Sequence, residues 1–267
     1  MQLEELTWQQ VDSLDRSTVV VAQFGALEQH GRHLPLNTDA LIGSEMARRL
    51  DAACGGRLLV LPTLWLGLST HHMHFAGTIT VSAETYLAMA TEVLGSLTQA
   101  GFTKFLILNS HGGNSSILDV TLTKCRHQFP RTRMVSVTYW NAAVEQIRSL
   151  RESELGGMGH ACELETSLVL AIRPELVHME LASVDGRWPV SSFLAKDMLQ
   201  GGSASVSRAF EEISTDGTVG DPRSASADKG DLFFGAIIPR LSALVREPSR
   251  MCSCGFARDH FLSPSPR

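Results

Sequence analysis

Short apolar runs alternate with longer amphipathic stretches over the first half of the chain. Four of these runs are almost entirely apolar, as strands are when both faces of a parallel sheet are buried. They lie at residues 18–24, 57–62, 104–108 and 134–137. Between them, apolar residues recur every three or four positions, which is the pattern of a helix that buries one face. This alternation predicts βαβ units, and hence a three-layer α/β/α fold with a mostly parallel central sheet.

The same patterns predict elements outside these units. Residues 79–81 are predicted to form a short strand, and residues 141–155 a polar helix. The final helix is predicted at roughly 225–244 from its regular apolar spacing. Apolar residues spaced three apart from Trp8 indicate a short leading helix or loop that docks one face on the core.

The length of 267 residues allows one large α/β domain, and no linker or internal repeat divides the chain. We predict a single domain over residues 1–247. The stretch 248–267 is rich in Ser, Pro and Arg, and we predict that it forms a flexible tail.

The net charge of −5 gives no electrostatic basis for binding nucleic acid or an anionic membrane. No apolar run approaches the roughly 20 residues that a transmembrane helix needs. The first residues are acidic and lack the basic and apolar regions of a signal peptide, so we expect a cytoplasmic protein. The five cysteines have unpatterned spacings, which argues against a disulfide framework.

Carboxylates and imidazoles follow the predicted strands. Glu28, His30 and Asp39 lie in the turn-rich segment after the first strand, and His111 follows the third. Because ligands bind at the carboxyl ends of strands in an open α/β sheet, we expect these residues to converge at one edge. Glu165, at the start of a later helix, would complete a set of three carboxylates and two imidazoles. Such a set suits two divalent ions that share a bridging carboxylate, as in two-metal hydrolases.

Alternative interpretations stay open at several positions. The residues after the first strand could be ordinary loop polars, and His160 could be a polar residue at a helix N-terminus. Glu163 and Glu165 would point about 200° apart on a helix, so only one is expected to face the site. In the histidine-rich segment after the second strand, His71 and His72 are predicted to be surface or substrate-loop residues rather than ligands.

The order and content of these motifs resemble the creatininase (creatinine amidohydrolase) family from about residue 18 to 245. The longest and most specific motif is GALEQHGRHLPLNTD at residues 25–39. The others are NSHGGN at 109–114, HACELETS at 160–167, HFAGT at 74–78, and GDP at 220–222 with ASA at 225–227.

The resemblance implies a single α/β/α domain, commonly assembled as a homohexamer, with two divalent ions of zinc, manganese or iron in each subunit. It implies an activity that cleaves a C–N bond in a small linear or cyclic amide by means of a metal-activated water. The ligands that it implies are Glu28, His30, Asp39, His111 and Glu165. Asp39 would be the bridge, Glu165 a further ligand or a carboxylate behind the ligands, and His160 the catalytic proton shuttle to the leaving nitrogen.

Substrate contacts are expected from His74, Trp140, Gly112 and Gly113. Creatininase itself has Tyr and Glu where this chain has Gly112 and Gly113, and that Glu is a metal ligand there. Trp140 matches one of two tryptophans that sandwich creatinine, whereas the second position falls near Gly156. We therefore expect amide hydrolysis on a substrate other than creatinine, with Glu165 completing the second metal position.

Two other functions are compatible with the same residues. The chain could be a peptidase for a modified peptide, because the open loop at Gly112 and Gly113 would admit a larger substrate. It could also be a non-catalytic oligomeric binding protein that retains the fold, although the intact set of ligand residues argues against this hypothesis.

Overall fold

The computed structural model describes residues 1–247 and confirms the predicted fold class. The predicted tail, 248–267, lies outside the described residues. Four parallel strands form a sheet in the order β2-β1-β3-β4. The strands are β1 (Val19–Phe24), β2 (Leu59–Val60), β3 (Lys104–Asn109) and β4 (Arg133–Thr138).

Seven α-helices within residues 1–247 surround this sheet. They are α1 (Trp8–Asp12), α2 (Thr38–Ala53), α3 (Ala83–Gln99), α4 (Ser115–Gln128), α5 (Val144–Leu150), α6 (Glu163–Ile172) and α7 (Ala227–Arg246). Local sequence determines several of their ends: the hydroxyl of Ser82, for example, accepts a hydrogen bond from the amide of Thr85 at the start of α3.

The core lies in two layers because the side chains of a strand alternate between the faces of the sheet. Val21 and Leu106 point to the layer that contains α2, α5, α6 and α7. Val20 and Phe105 point to the opposite layer, which contains α3 and α4. The continuous apolar runs are thereby explained, since both faces of the central strands are covered by helices.

The strand order places a topological switch point between β1 and β3. The chain leaves β1 through α2 toward β2 on one side, and it leaves β3 through α4 toward β4 on the other. Diverging connections of this kind leave a crevice at the carboxyl ends of the two strands, where α/β proteins bind ligands. Phe24 and Asn109, the last residues of β1 and β3, are register partners, so the two following loops start side by side.

Three of the predicted elements differ in the structure. Residues 79–81 form only isolated bridges, with Leu27 and Gly67 as partners, rather than a strand. The predicted helix at 141–155 is a 3-10 helix at Tyr139–Ala143 followed by the shorter α5. Trp8 is 74% exposed and does not dock on the core, although apolar residues after it do. Within the described part of the chain, every helix is too short or too polar to cross a bilayer.

Candidate metal centre

Glu28 occupies the centre of the crevice. Its side chain is fully buried, and its backbone amide donates to the carbonyl of Leu36, which closes the loop after β1. The Oε1 atom lies 3.2 Å from Nδ1 of His111 and 3.2 Å from Nε2 of His72. Neither carboxylate oxygen has a partner at hydrogen-bonding geometry. A buried carboxylate without hydrogen bonds is costly unless a cation compensates it.

Asp39 faces two imidazoles at once. It lies in the first turn of α2, where the helix dipole favours a negative charge. Its Oδ1 lies 3.2 Å from Nε2 of His30, and its Oδ2 lies 3.1 Å from Nδ1 of His111. Oδ2 also has no hydrogen-bond partner. A carboxylate with one oxygen toward each of two imidazoles has the arrangement of a bridge between two cation positions.

In His30 and His111, the ring nitrogen that does not face Asp39, here called the outer nitrogen, contacts a backbone carbonyl. Nδ1 of His30 lies 3.1 Å from the carbonyl of Glu28, and Nε2 of His111 lies 3.0 Å from that of Leu68. A carbonyl can only accept, so the outer nitrogen carries a proton, and in the neutral ring the inner nitrogen carries the lone pair. Metal-binding histidines are held in this way.

Two carboxylates at the start of α6 have different surroundings. Oε1 of Glu165 lies 4.0 Å from Nε2 of His30, on the crevice side. Glu163 points away and forms a buried ion pair with Lys229 at 2.8 Å. The structure therefore brings Glu165, and not Glu163, to the crevice.

His160 approaches the same crevice from the segment before α6. Its backbone forms two hydrogen bonds with Val219, and the following residue, Ala161, has a left-handed φ of 52°. Such a conformation is strained for any residue except glycine, and strain of this kind is common at functional sites. The turn aims Nδ1 of His160 toward Oε1 of Glu28, 3.9 Å away.

The charges of the crevice spread the pKa values of its imidazoles apart. Burial alone would lower the pKa of His30, but Asp39 and other carboxylates outweigh it and raise the pKa to about 9. Burial is outweighed in the same way at His111, whose pKa Glu28 and Asp39 raise well above the ordinary value. Burial prevails at His160, and with the charge of His30 it lowers that pKa well below the ordinary value.

The carboxylates differ as well. Burial raises the pKa of Glu165 to about 7, although the charge of His30 opposes this shift. At Glu28 burial also favours the neutral form, but His111 and His72 outweigh it and hold the pKa well below its usual range.

The donor set fits divalent metal ions. Carboxylate oxygens without partners and imidazole nitrogens suit zinc and manganese, and the crevice concentrates them in a buried volume. Among residues 1–247, four groups of three ligand atoms lie within 4.8 Å of one another: Glu28–His30–Asp39, His30–His160–Glu165, Glu28–His71–His111 and Glu28–His72–His160.

A cavity of about 880 Å³ opens onto these residues. Of the four residues from which substrate contacts were expected, Trp140, Gly112 and Gly113 line this cavity, whereas His74 is exposed and is not part of the lining. A Cβ on Gly113 would collide with the Leu68 carbonyl and the His111 ring, but one on Gly112 would meet nothing within 4 Å. Neither glycine has a positive φ, so close approach, at Gly113 alone, is what requires glycine.

The crevice also holds residues that the sequence did not identify as ligands, among them His71, which forms one of these ligand groups with Glu28 and His111. His72, predicted to be a surface or substrate-loop residue, is 1% exposed and contacts Glu28. Phe210 packs its ring 3.9 Å from that of His72 and 4.8 Å from that of His160. The histidine-rich segment was a signal for His72, but the sequence around Phe210 contains no motif that would have identified it.

Buried carboxylates and imidazoles at the switch point of a parallel sheet make this an α/β protein whose crevice could hold metal ions. A family model described as Creatininase: Creatinine amidohydrolase matches residues 4–245. This protein therefore belongs to the creatininase family.

Individual relatives extend over most of the chain. Mycofactocin precursor peptide peptidase of Mycobacterium ulcerans (strain Agy99) is 30% identical over 226 residues, which cover 82% of this chain and 81% of the peptidase. Creatinine amidohydrolase of Pseudomonas putida is 27% identical over 261 residues, which cover 91% of this chain and 95% of that enzyme.

Solved structures of creatininase share the fold. One crystal structure aligns with a TM-score of 0.74 at 26% identity and covers 91% of this chain and 96% of the other. A manganese form aligns with a TM-score of 0.74 at 25% identity and covers 92% and 97%.

Proposed function

We propose that this protein is a metal-dependent hydrolase that cleaves a C–N bond in a small linear or cyclic amide. The observation that carries the proposal is Asp39, a buried carboxylate with one oxygen toward His30 and the other toward His111. Membership of the creatininase family supports the same reaction class. The relatives named above act on creatinine and on a precursor peptide, so the family supports more than one substrate.

We propose two divalent ions, of zinc, manganese or iron, that share Asp39. One position would be completed by His30 and Glu165, and the other by His111 and Glu28. Oε1 of Glu165 lies 4.0 Å from Nε2 of His30, which supports this division. Glu165 would supply the carboxylate ligand that creatininase has at the position of Gly113. Bound divalent ions would lower the pKa of a water molecule and polarise the amide carbonyl.

His160 would act as the proton shuttle. Its pKa lies well below the ordinary value, so the imidazole is uncharged at neutral pH and can accept a proton. As the oxygen of water bonds to the carbonyl carbon and the C–N bond breaks, His160 would take the proton from water. It would then give that proton to the leaving nitrogen. Phe210, whose ring centroid lies 4.8 Å from that of His160, would limit access of bulk water to this step.

The cavity wall would select the substrate. Trp140 and the glycine loop line one part of it, and Trp188 and Arg208 line another. We propose a substrate other than creatinine, because this wall has Gly112 and Gly113 where creatininase has Tyr and Glu. A modified peptide is the second candidate, and the peptidase relative and the size of the cavity favour it.

We further propose that the chain assembles as a homohexamer. Exposed apolar side chains near the segment after β2, such as Met73 and Ile79, support burial against another subunit. Light scattering coupled to size exclusion would test this assembly, and a monomeric mass would contradict it.

Metal analysis of His111→Ala tests the ligand assignment. We expect two ions per wild-type chain and a clear loss in the variant. His127→Ala is the matched control, because His127 is exposed and lies on α4 away from the crevice. Full retention of tightly bound metal by His111→Ala would overturn the assignment.

A substrate panel tests the reaction class. Metal-loaded protein would be assayed against lactams, cyclic ureas, formamides and linear peptides, with chelation as the control. We expect turnover within the non-peptide amides, abolished by chelator and restored by zinc or manganese. Turnover of peptides alone would favour the second candidate, and metal binding without turnover of any amide would favour a binding protein.

A further inference from the structure

The side chain of Gln29 lies between two imidazoles of the crevice. It is 4% exposed and belongs to the same loop as Glu28. Its Nε2 atom is 2.7 Å from Nδ1 of His72, and its backbone carbonyl is 2.7 Å from Nε2 of His160. One residue therefore contacts both rings: its side chain contacts His72, and its backbone carbonyl accepts from His160 while its side-chain nitrogen also lies near that ring.

Backbone groups determine which way the amide of Gln29 points. The amide of Gly31 donates to Oε1 at 2.9 Å, and Nε2 donates to the carbonyl of Gly217 at 3.1 Å. A backbone N–H can only donate and a carbonyl can only accept, so exchanging the two ends of the amide would lose both hydrogen bonds. Gly217 has a φ of 92°, and a Cβ there would overlap with Gln29.

This orientation determines the tautomer of His72. The amide nitrogen of Gln29 is a donor, so Nδ1 of His72 accepts and carries the lone pair. The proton of the neutral ring is then on Nε2, which lies 3.2 Å from Oε1 of Glu28. His72 therefore presents a donor to Glu28 and has no lone pair on that side with which to bind a metal ion.

The opposite arrangement holds at His160. Its Nε2 donates to the backbone carbonyl of Gln29, so the lone pair is on Nδ1, the atom that faces the crevice. The amide nitrogen of Gln29 also lies 3.1 Å from this Nε2, but its two hydrogens are directed to Gly217 and His72.

We propose that Gln29 is a positioning residue that places the protons of His72 and His160 in opposite roles. His72 keeps its N–H, and no lone pair, toward Oε1 of Glu28, and His160 becomes an acceptor on the crevice side. The group Glu28–His72–His160 is then not a metal site, which leaves His160 available for proton transfer. The use of these roles in catalysis rests on the proposed function, but the tautomers themselves do not.

NMR of 15N-histidine-labelled, metal-free protein tests the proposal directly. Long-range 15N–1H correlations show which ring nitrogen carries the proton, and His72→Gln and His160→Gln assign the two rings. In the wild type we expect the proton on Nε2 of both rings. A proton on Nδ1 of His72 would overturn the proposal, whatever the protein binds or hydrolyses.

Gln29→Glu adds a test that distinguishes the proposed positioning role of Gln29 from a merely structural one. A carboxylate accepts, so Nδ1 of His72 should gain a proton, whereas His160, held by the backbone carbonyl, should keep its spectrum. In an assay with an identified substrate, we expect kcat to fall about 10- to 100-fold, as for other residues that orient metal ligands, with a smaller change in KM. An unchanged His72 spectrum in a folded variant would refute the proposed role of Gln29.

Discussion

Metal binding to this protein should release protons, because the metal-free crevice holds them on its ligands. With a pKa of about 9, His30 is protonated at pH 7, and His111 is protonated too because its pKa lies well above the ordinary value. Glu165, with a pKa of about 7, is about half protonated at pH 7. Metal ligands must be deprotonated, so ions that fill the site displace these protons.

The magnitude follows from this count. The two imidazoles contribute about two protons at pH 7, and Glu165 contributes about half of one. The logarithm of the overall binding constant rises with pH by the number of protons released. Between pH 6 and 7 the overall binding constant should therefore rise by a factor of about 10² to 10³, which corresponds to about 3–4 kcal/mol of binding free energy. The slope should decrease as the pH passes about 9, where His30 is deprotonated without metal.

Isothermal titration calorimetry of zinc into metal-free protein, in buffers that differ in ionisation enthalpy, measures the protons directly. Competition with a chelator at pH 6, 7 and 8 measures the affinity. Glu165→Gln is the matched variant: it should bind metal more weakly but keep a release of about two protons at pH 7. Release of less than one proton by the wild type, or an affinity that does not change with pH, would refute these charge states.

Three further predictions concern stability. Gly113→Ala should destabilise the fold by about 1–3 kcal/mol in urea unfolding, because its Cβ collides with backbone at Leu68, and it should weaken metal binding; Gly112→Ala, with open space around its Cβ, should do neither. Ala161→Gly should relieve left-handed strain and change stability by at most ~1 kcal/mol, whereas Ala161→Val should cost more than ~2 kcal/mol; equal effects in thermal melts would argue against strain. Burial, with the charge of His30, lowers the pKa of His33 to about 4, so the unfolded chain takes up that proton first as the pH falls from 6.5. The metal-free wild type should then lose about 3 kcal/mol more than His33→Gln between pH 7 and 4, and parallel pH profiles would contradict this.

The strands were predictable because the central sheet is covered on both faces, which leaves an uninterrupted apolar run at each strand. The isolated bridges at 79–81 were not, because β-branched residues favour extended backbone without specifying a partner strand. Trp8 shows the same limit for helices: its spacing fits a buried face, but the short α1 turns that residue to solvent.

The residues of the site likewise fall into those that the sequence predicts and those that it does not. Glu28 and His111 follow closely on β1 and β3, and Asp39 begins the helix after β1, so the strand order and the start of α2 bring them together. His72 and Phe210 come from loop segments whose paths depend on long-range packing, and no local pattern reports such a path. His74, two residues from His72, is exposed, because the 3-10 turn Thr70–His72 ends at the buried His72 and the chain then runs along the surface.

The proposed metal ligands and the residues that would select the substrate also lie in different parts of the fold. The proposed ligands are held at the ends of strands and at the starts of α2 and α6, where backbone hydrogen bonds leave little freedom. Trp188 and Arg208 belong to the loop-rich stretch between α6 and α7, which can change length and sequence without disturbing the sheet. A family built in this way can keep one metal centre while its members act on substrates as different as creatinine and a precursor peptide. Exchanging the segment 184–213 with that of a relative should therefore transfer substrate preference and leave metal content unchanged.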